Sequence, residues 1–174
     1  MIINRDNLPF MMDSPLRLKA PEFFVLSLMR LWLQAGEGDG TEEALRRGFL
    51  GAGLNGQAAG ALEAIMVVLS SGHRPLRLAP ANSVYVTGDE VRLLAMLAAA
   101  QDGDAEGIEE YLPRWAEPDA ARHAGAAASL FAAALHGVGL RLRSGTDLLA
   151  SFGFGPEISA GVLLAPRLAL AAAA

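Results

Sequence analysis

From Phe23 to Leu33 the chain is apolar at every position except Ser27 and Arg30. A helix that is apolar on nearly all sides is one buried on several faces. Pro21 suits a first helical position, where its missing N–H costs nothing. The pattern therefore predicts a buried helix over 23–33 that stops in GEGDG, residues 36–40. Thr41 then reads as an N-cap, with Glu42 and Glu43 in a first turn whose dipole favours carboxylates. A third helix is predicted from Asn55 or Gly56 to Ser71, ending at Gly72. The periodicity changes in RPLRLAPANSVYVTGDE, where Leu76/Leu78 and Val84/Val86 alternate and predict short strands. Thr87-Gly88-Asp89-Glu90 has the spacing of a capping box, in which a hydroxyl and a glutamate each satisfy an orphan N–H. It opens a helix over Asp89–Gln101 that ends in DGD. A short helix, Ala105–Leu112, precedes Pro113, and a longer one runs from about Pro118 to Gly137.

These elements repeat. PEFFVLSLMRLWLQAGEGD, from Pro21, aligns without a gap to VTGDEVRLLAMLAAAQDGD, from Val86, at an offset of 65 residues. The same offset lays GALEAIMVVLSSG, from Gly60, over GAAASLFAAALHG, from Gly125. PLRL at Pro15, PLRL at Pro75 and GLRL at Gly139 frame the two stretches. The expected fold class is mainly α: one domain built from two similar three-helix halves, an internal duplication of about 15–74 and 75–143. Short β-strands are expected near the LRL pieces, and 144–174 form a C-terminal tail.

Composition supports the helical reading, because Ala and Leu dominate while β-branched and aromatic residues are few. The 174 residues suffice for one compact core. Lys19 is the single lysine among 14 basic residues, a bias expected of a GC-rich bacterium. The net charge of -5, with no basic run beyond Arg46-Arg47, argues against nucleic acid, whose binders carry a basic face. Without cysteine there is no disulfide, thiolate metal site or cysteine nucleophile, which fits a cytoplasmic protein. The N-terminus carries Asp6 and Asp13 and has no continuous apolar core, so it does not read as a signal peptide. ISAGVLLAPRLALAAAA, at the C-terminus, is interrupted by Pro166 and Arg167 and is shorter than the ~20 apolar residues of a membrane span. No membrane partner is expected.

Three motifs carry candidate chemistry. GAGLNG, Gly51–Gly56, matches G-x-G-x-x-G, but a dinucleotide site needs a strand before it and an acid about 20 residues later. A helix-like TEEALRRGFL precedes it and Ser70-Ser71-Gly72-His73-Arg74 follows, so it reads as a hinge between helices with Asn55 as cap. In DGDAEGIEEYLP, Asp102, Asp104 and Glu106 occupy the first oxygen-ligand positions of a calcium loop, yet Pro113 stands where the bidentate Glu belongs. Asp119 and His123 share a helical face that His136, thirteen residues on, cannot join, and His73 sits at the helix end of the first half that corresponds to that of His136. His73, Asp119 and His123 are the candidate ligand-binding residues. No G-x-S-x-G elbow is present. AAAQDGDAEGIEEYL resembles the second half of an ankyrin repeat over about fifteen residues, but the T-P-L-H opening is missing and the period is too long for that family.

The expected function is therefore non-enzymatic: a bacterial protein-interaction or self-associating helical module with no cofactor and no metal. Ile158, Val162, Leu163, Leu164 and Leu168 form its expected interface, docked on its own helices or in a homodimer. The alternative is a small-ligand or metal-binding protein, or an enzyme, with its pocket between the halves.

Overall fold

The computed structural model describes residues 18–35 and 40–154. Among the described residues seven α-helices follow one another: α1 (Ala20–Gln34), α2 (Thr41–Gly51), α3 (Gly56–Ser70), α4 (Gly88–Asp102), α5 (Ala105–Tyr111), α6 (Pro118–Gly137) and α7 (Gly145–Ser151). A 3-10 turn, Leu112–Arg114, leads from α5 towards α6. The molecule is mainly helical, as the periodicity predicts.

The core forms around α3 and α6, which share the most extensive helix–helix contact among the described residues. Ala58, Ala61, Leu62, Ile65, Met66 and Leu69 recur at three- and four-residue spacing and make one apolar face of α3. The opposing face of α6 is mostly alanine, with Phe131 and Leu135 as its bulky members. The two helices run antiparallel: a Cβ on Gly53, before α3, would stand 3.7 Å from Val138, just past α6, while Gly72, after α3, abuts the Trp115 carbonyl, before α6. Gly72 tolerates no Cβ there without a collision with that carbonyl. α4 is buried against α5, α6 and α7, and Leu93, Leu94, Ala95, Met96 and Leu97 are all within the core.

Two buried carboxylates organise the helix starts. Glu90 accepts the Thr87 N–H at 2.6 Å while the Thr87 hydroxyl accepts the Glu90 N–H, the capping box its spacing predicts. Glu22 accepts the Lys19 N–H at 2.7 Å at the start of α1, where the lysine side chain has no acceptor to return. Each glutamate is also reached by an arginine and by a backbone N–H distant in sequence. Ala79, after Leu78, donates to Glu90 at 2.8 Å, and Arg143, after Leu142, donates to Glu22 at 3.3 Å. The chain leaving α3 thus caps α4, and the chain leaving α6 caps α1.

This arrangement explains a correction. The LRL segments are expected to be short strands, but no strand occurs among the described residues. Extended backbone needs partners for its N–H and C=O groups, and here side chains supply them. Arg77 N–H donates to Asp89 and Ala79 N–H to Glu90. Gln101 brackets the last segment, donating to the Leu140 carbonyl at 2.8 Å and accepting the Leu142 N–H at 2.9 Å. With these groups satisfied by helices, no ladder is left to form.

Other boundaries shift for local reasons. Gly40, not Thr41, caps α2, at φ +105°, a left-handed conformation that suits glycine, and Thr41 is the first helical residue. α1 begins at Ala20, three residues before its apolar run. Phe23, read with its neighbours as core, is exposed, because adjacent helical positions point ~100° apart. α7 lies in what the sequence marks as tail, and its Leu148, Leu149 and Phe152 are buried. The caps Lys19 and Thr87 stand 68 residues apart, so the ungapped offset of 65 pairs Glu22 with Thr87 instead of Glu90.

Glu22 makes stability depend on pH. Burial raises its pKa, but hydrogen bonds from the Arg143 guanidinium, the Lys19 N–H and the Arg143 N–H outweigh this and hold it below the usual glutamate value. A carboxylate depressed on folding adds stability above its unfolded pKa and loses it as pH falls through the folded one. Arg143→Met leaves Glu22 buried without its cation, so the variant loses most at neutral pH and regains part as Glu22 protonates. Urea titrations should show the wild-type advantage shrinking between about pH 6 and about pH 3. An advantage of constant size would show that Glu22 does not titrate there.

Candidate functional site

Each motif singled out from the sequence occupies a definite place. Gly51–Gly56 joins α2 to α3. Gly53, at φ +74°, donates to the Leu50 carbonyl and Leu54 to the Phe49 carbonyl, the paired bonds of a Schellman helix end. Asn55 then caps α3, its side chain accepting the Ala58 N–H at 3.0 Å. The glycines end one helix and start the next, and a helix, not a strand, precedes them.

In DGDAEG, Asp104 caps α5 by accepting the Gly107 N–H at 2.9 Å, and Asp102 receives Arg141 at 3.2 Å. Both carboxylates thus have structural partners. Among the described residues no group of three or more His, Asp or Glu side chains is placed to hold a metal ion.

His73, Asp119 and His123 lie around the start of α6 without converging. His73 approaches Glu117, the residue before α6, at 3.6 Å. Asp119 is 87% exposed and pairs with Arg122 one turn on. The His123 Nδ1 lies 2.8 Å from the Asp119 backbone oxygen, not from its carboxylate. The expected interface residues Ile158, Val162, Leu163, Leu164 and Leu168 lie outside the described residues.

An apolar groove opens at the other end of the α3–α6 pair. It is an open depression of about 500 Å³ between the start of α1, the last two turns of α2 and the segment after α6. Ala20, Pro21 and Phe24 form one wall, Gly48, Gly51 and Ala52 another, and Leu140 closes the end. Glycine at 48 brings α2 close to α1, since a Cβ there would stand only 3.0 Å from Leu28. Leu50, beside Gly51 in the chain, is 61% exposed, and Val138, two residues before Leu140, is exposed as well. Arg47 is the only ionisable lining residue. Its guanidinium is exposed, donates to the Glu43 carbonyl at 3.4 Å and stands 3.7 Å from the Glu43 carboxylate.

The groove offers shape, apolar surface and one cation. Among its described lining residues there is no acid–base pair, nucleophile or donor cluster. Phe24 falls in the run that the sequence marks as a buried helix, and Arg47 in the lone basic pair Arg46-Arg47. Nothing in either pattern signals that residues near 20, 50 and 140 meet, because the meeting depends on the return of the chain after α6.

No described helix is long and apolar enough to cross a membrane. The chain matches no protein-family model, no curated protein and no solved structure.

Proposed function

We propose that this chain is a non-enzymatic protein-interaction module of the bacterial cytoplasm that holds an apolar protein segment in the α1–α2 groove. The open apolar groove with Arg47 at its wall carries this reading. Water leaves such a surface favourably when a side chain fills it, at roughly 25 cal/mol per Å². A homodimer held through Ile158, Val162, Leu163, Leu164 and Leu168 belongs to the same proposal, motivated by the apolar character of that run. Nucleic acid and membrane are not among its partners.

We also propose that the chain arose by internal duplication, with a three-residue shift between the two long first helices. α1 and α4 have the same length, each places a buried glutamate at its third position, and each glutamate takes an N–H from a residue following an LRL piece.

A second reading is a small apolar ligand in the same groove, favoured by its volume and by Leu140 of the second half closing its end. Its metal-binding form would use His73, Asp119 and His123 instead. Ala52→Glu places a charge in the groove at a partly exposed site, where a surface change costs within about 0.5 kcal/mol. The wild-type chain should retain a protein from a lysate of its source cells that the stably folded variant loses. Equal retention by both would sink the groove reading, and a small molecule seen by native mass spectrometry only on the wild type would favour the second.

A further inference from the structure

Two of the groove's walls are tied together behind it by an ion pair. Pro21 and Phe24 line the groove from the start of α1, and Glu22, between them, is 0% exposed. Leu140 lines it from the chain after α6, and Arg143 follows three residues on. Arg143 donates to both Glu22 oxygens, from Nε and from Nη2 at 2.7 Å each, and its own N–H adds a bond at 3.3 Å. A guanidinium fork on a carboxylate fixes direction as well as distance.

Each wall is otherwise anchored differently. Gln101 of α4 holds the Leu140 carbonyl at 2.8 Å and the Leu142 N–H at 2.9 Å, and Leu142 is buried, so residues 140–142 stay with α4 whatever happens at Glu22. The first turn of α1 has N–H groups without intrahelical acceptors and depends on its cap. That cap is Glu22, which accepts the Lys19 N–H at 2.7 Å. One buried carboxylate thus serves both the helix start and the tie between walls.

Resting on the reading of the groove as a segment-binding site, we propose that Glu22 and Arg143 are its positioning residues: their ion pair sets the separation of the α1 wall from Leu140, and so the segment that fits. Neither residue lines the groove itself. Once the pair is broken, Glu22 is a buried carboxylate without its cation, and it regains water by moving outward with the first turn of α1. Pro21 and Phe24 then move away from Leu140, and a bound side chain loses close contact on one flank. The second buried ion pair, Arg30–Glu90, provides the comparison. It joins α1 to α4 eight residues further along α1, and neither partner lines the groove.

The chain contains no cysteine, so Phe23→Cys and Arg141→Cys, both exposed and outside the groove lining, accept a pair of nitroxide labels. Pulsed electron–electron distance measurement on the full chain should give a narrow distribution that Arg143→Ala lengthens or broadens by ~2 Å or more. Glu22→Ala/Arg143→Ala leaves no buried charge unpaired, keeps more stability than the single change, and should show the same broadening. Arg143→Lys, a point charge in place of the fork, should lie between. Glu90→Gln should leave the distribution narrow although it lowers stability. An unchanged distribution in the double variant overturns the proposal, and so does equal broadening by Glu90→Gln, which would mean general loosening. The protein that the wild type retains and Ala52→Glu loses should also be lost by the double variant and kept by Glu90→Gln. Retention by the double variant overturns the role in recognition, whereas retention by Ala52→Glu sinks the groove reading and leaves the wall spacing to the label distances.

Discussion

Glu90→Ala destabilises the fold by about 3–5 kcal/mol, because it removes one partner of a buried ion pair and leaves the other without compensation. Glu90 is 0% exposed and Arg30 4%. Arg30 donates to both Glu90 oxygens, at 2.7 and 3.0 Å, and also to the Ser83 and Tyr85 carbonyls. The carboxylate meanwhile takes the N–H groups of Ala79 and Thr87. One side chain therefore joins α1, the start of α4 and the segment between α3 and α4. Alanine leaves a buried cation without its counter-charge and two amides without their acceptor. Glu90→Gln keeps the shape and some acceptor capacity, so it should lose less than alanine. Urea unfolding followed by circular dichroism measures both, and a loss below about 1 kcal/mol for alanine would show that the site relaxes or hydrates instead.

Phe131→Ala costs a similar ~3–5 kcal/mol, the usual range for emptying a fully buried aromatic site. Phe131 is completely buried on a helix whose other buried residues are alanines and Leu135. Its ring centroid stands 6.4 Å from that of Phe49, tilted by 54°, so it ties α6 to α2. The alanines that share its helix face cannot extend to fill the space, so a cavity should persist. Phe131→Leu, which keeps most of the volume, should recover more than half of the loss. Equal losses for alanine and leucine would mean that ring stacking, not volume, holds this contact.

The elements that the sequence defines well are those whose hydrogen bonds close within a few residues. Thr87 and Glu90 cap α4 across three residues, Asn55 caps α3 across three, and the apolar spacing of α3 marks its buried face. Such bonds need only the local conformation that the residues themselves favour, so a linear reading recovers them. GAGLNG is legible for the same reason: glycine at left-handed φ and asparagine at a cap act on their immediate neighbours.

Tertiary structure decided the rest. The alternation in the LRL segments marks extended backbone but not its partner, and the partners proved to be Asp89, Glu90, Gln101 and Glu22. Arg143 and Glu22 are 121 residues apart, a separation on which no local pattern bears. Phe23 and Phe24 are neighbours of one residue type, yet one faces solvent and the other lines the groove. Hydropathy measures how strongly a side chain leaves water, whereas the surface it meets depends on segments distant in sequence that come together only when the chain folds.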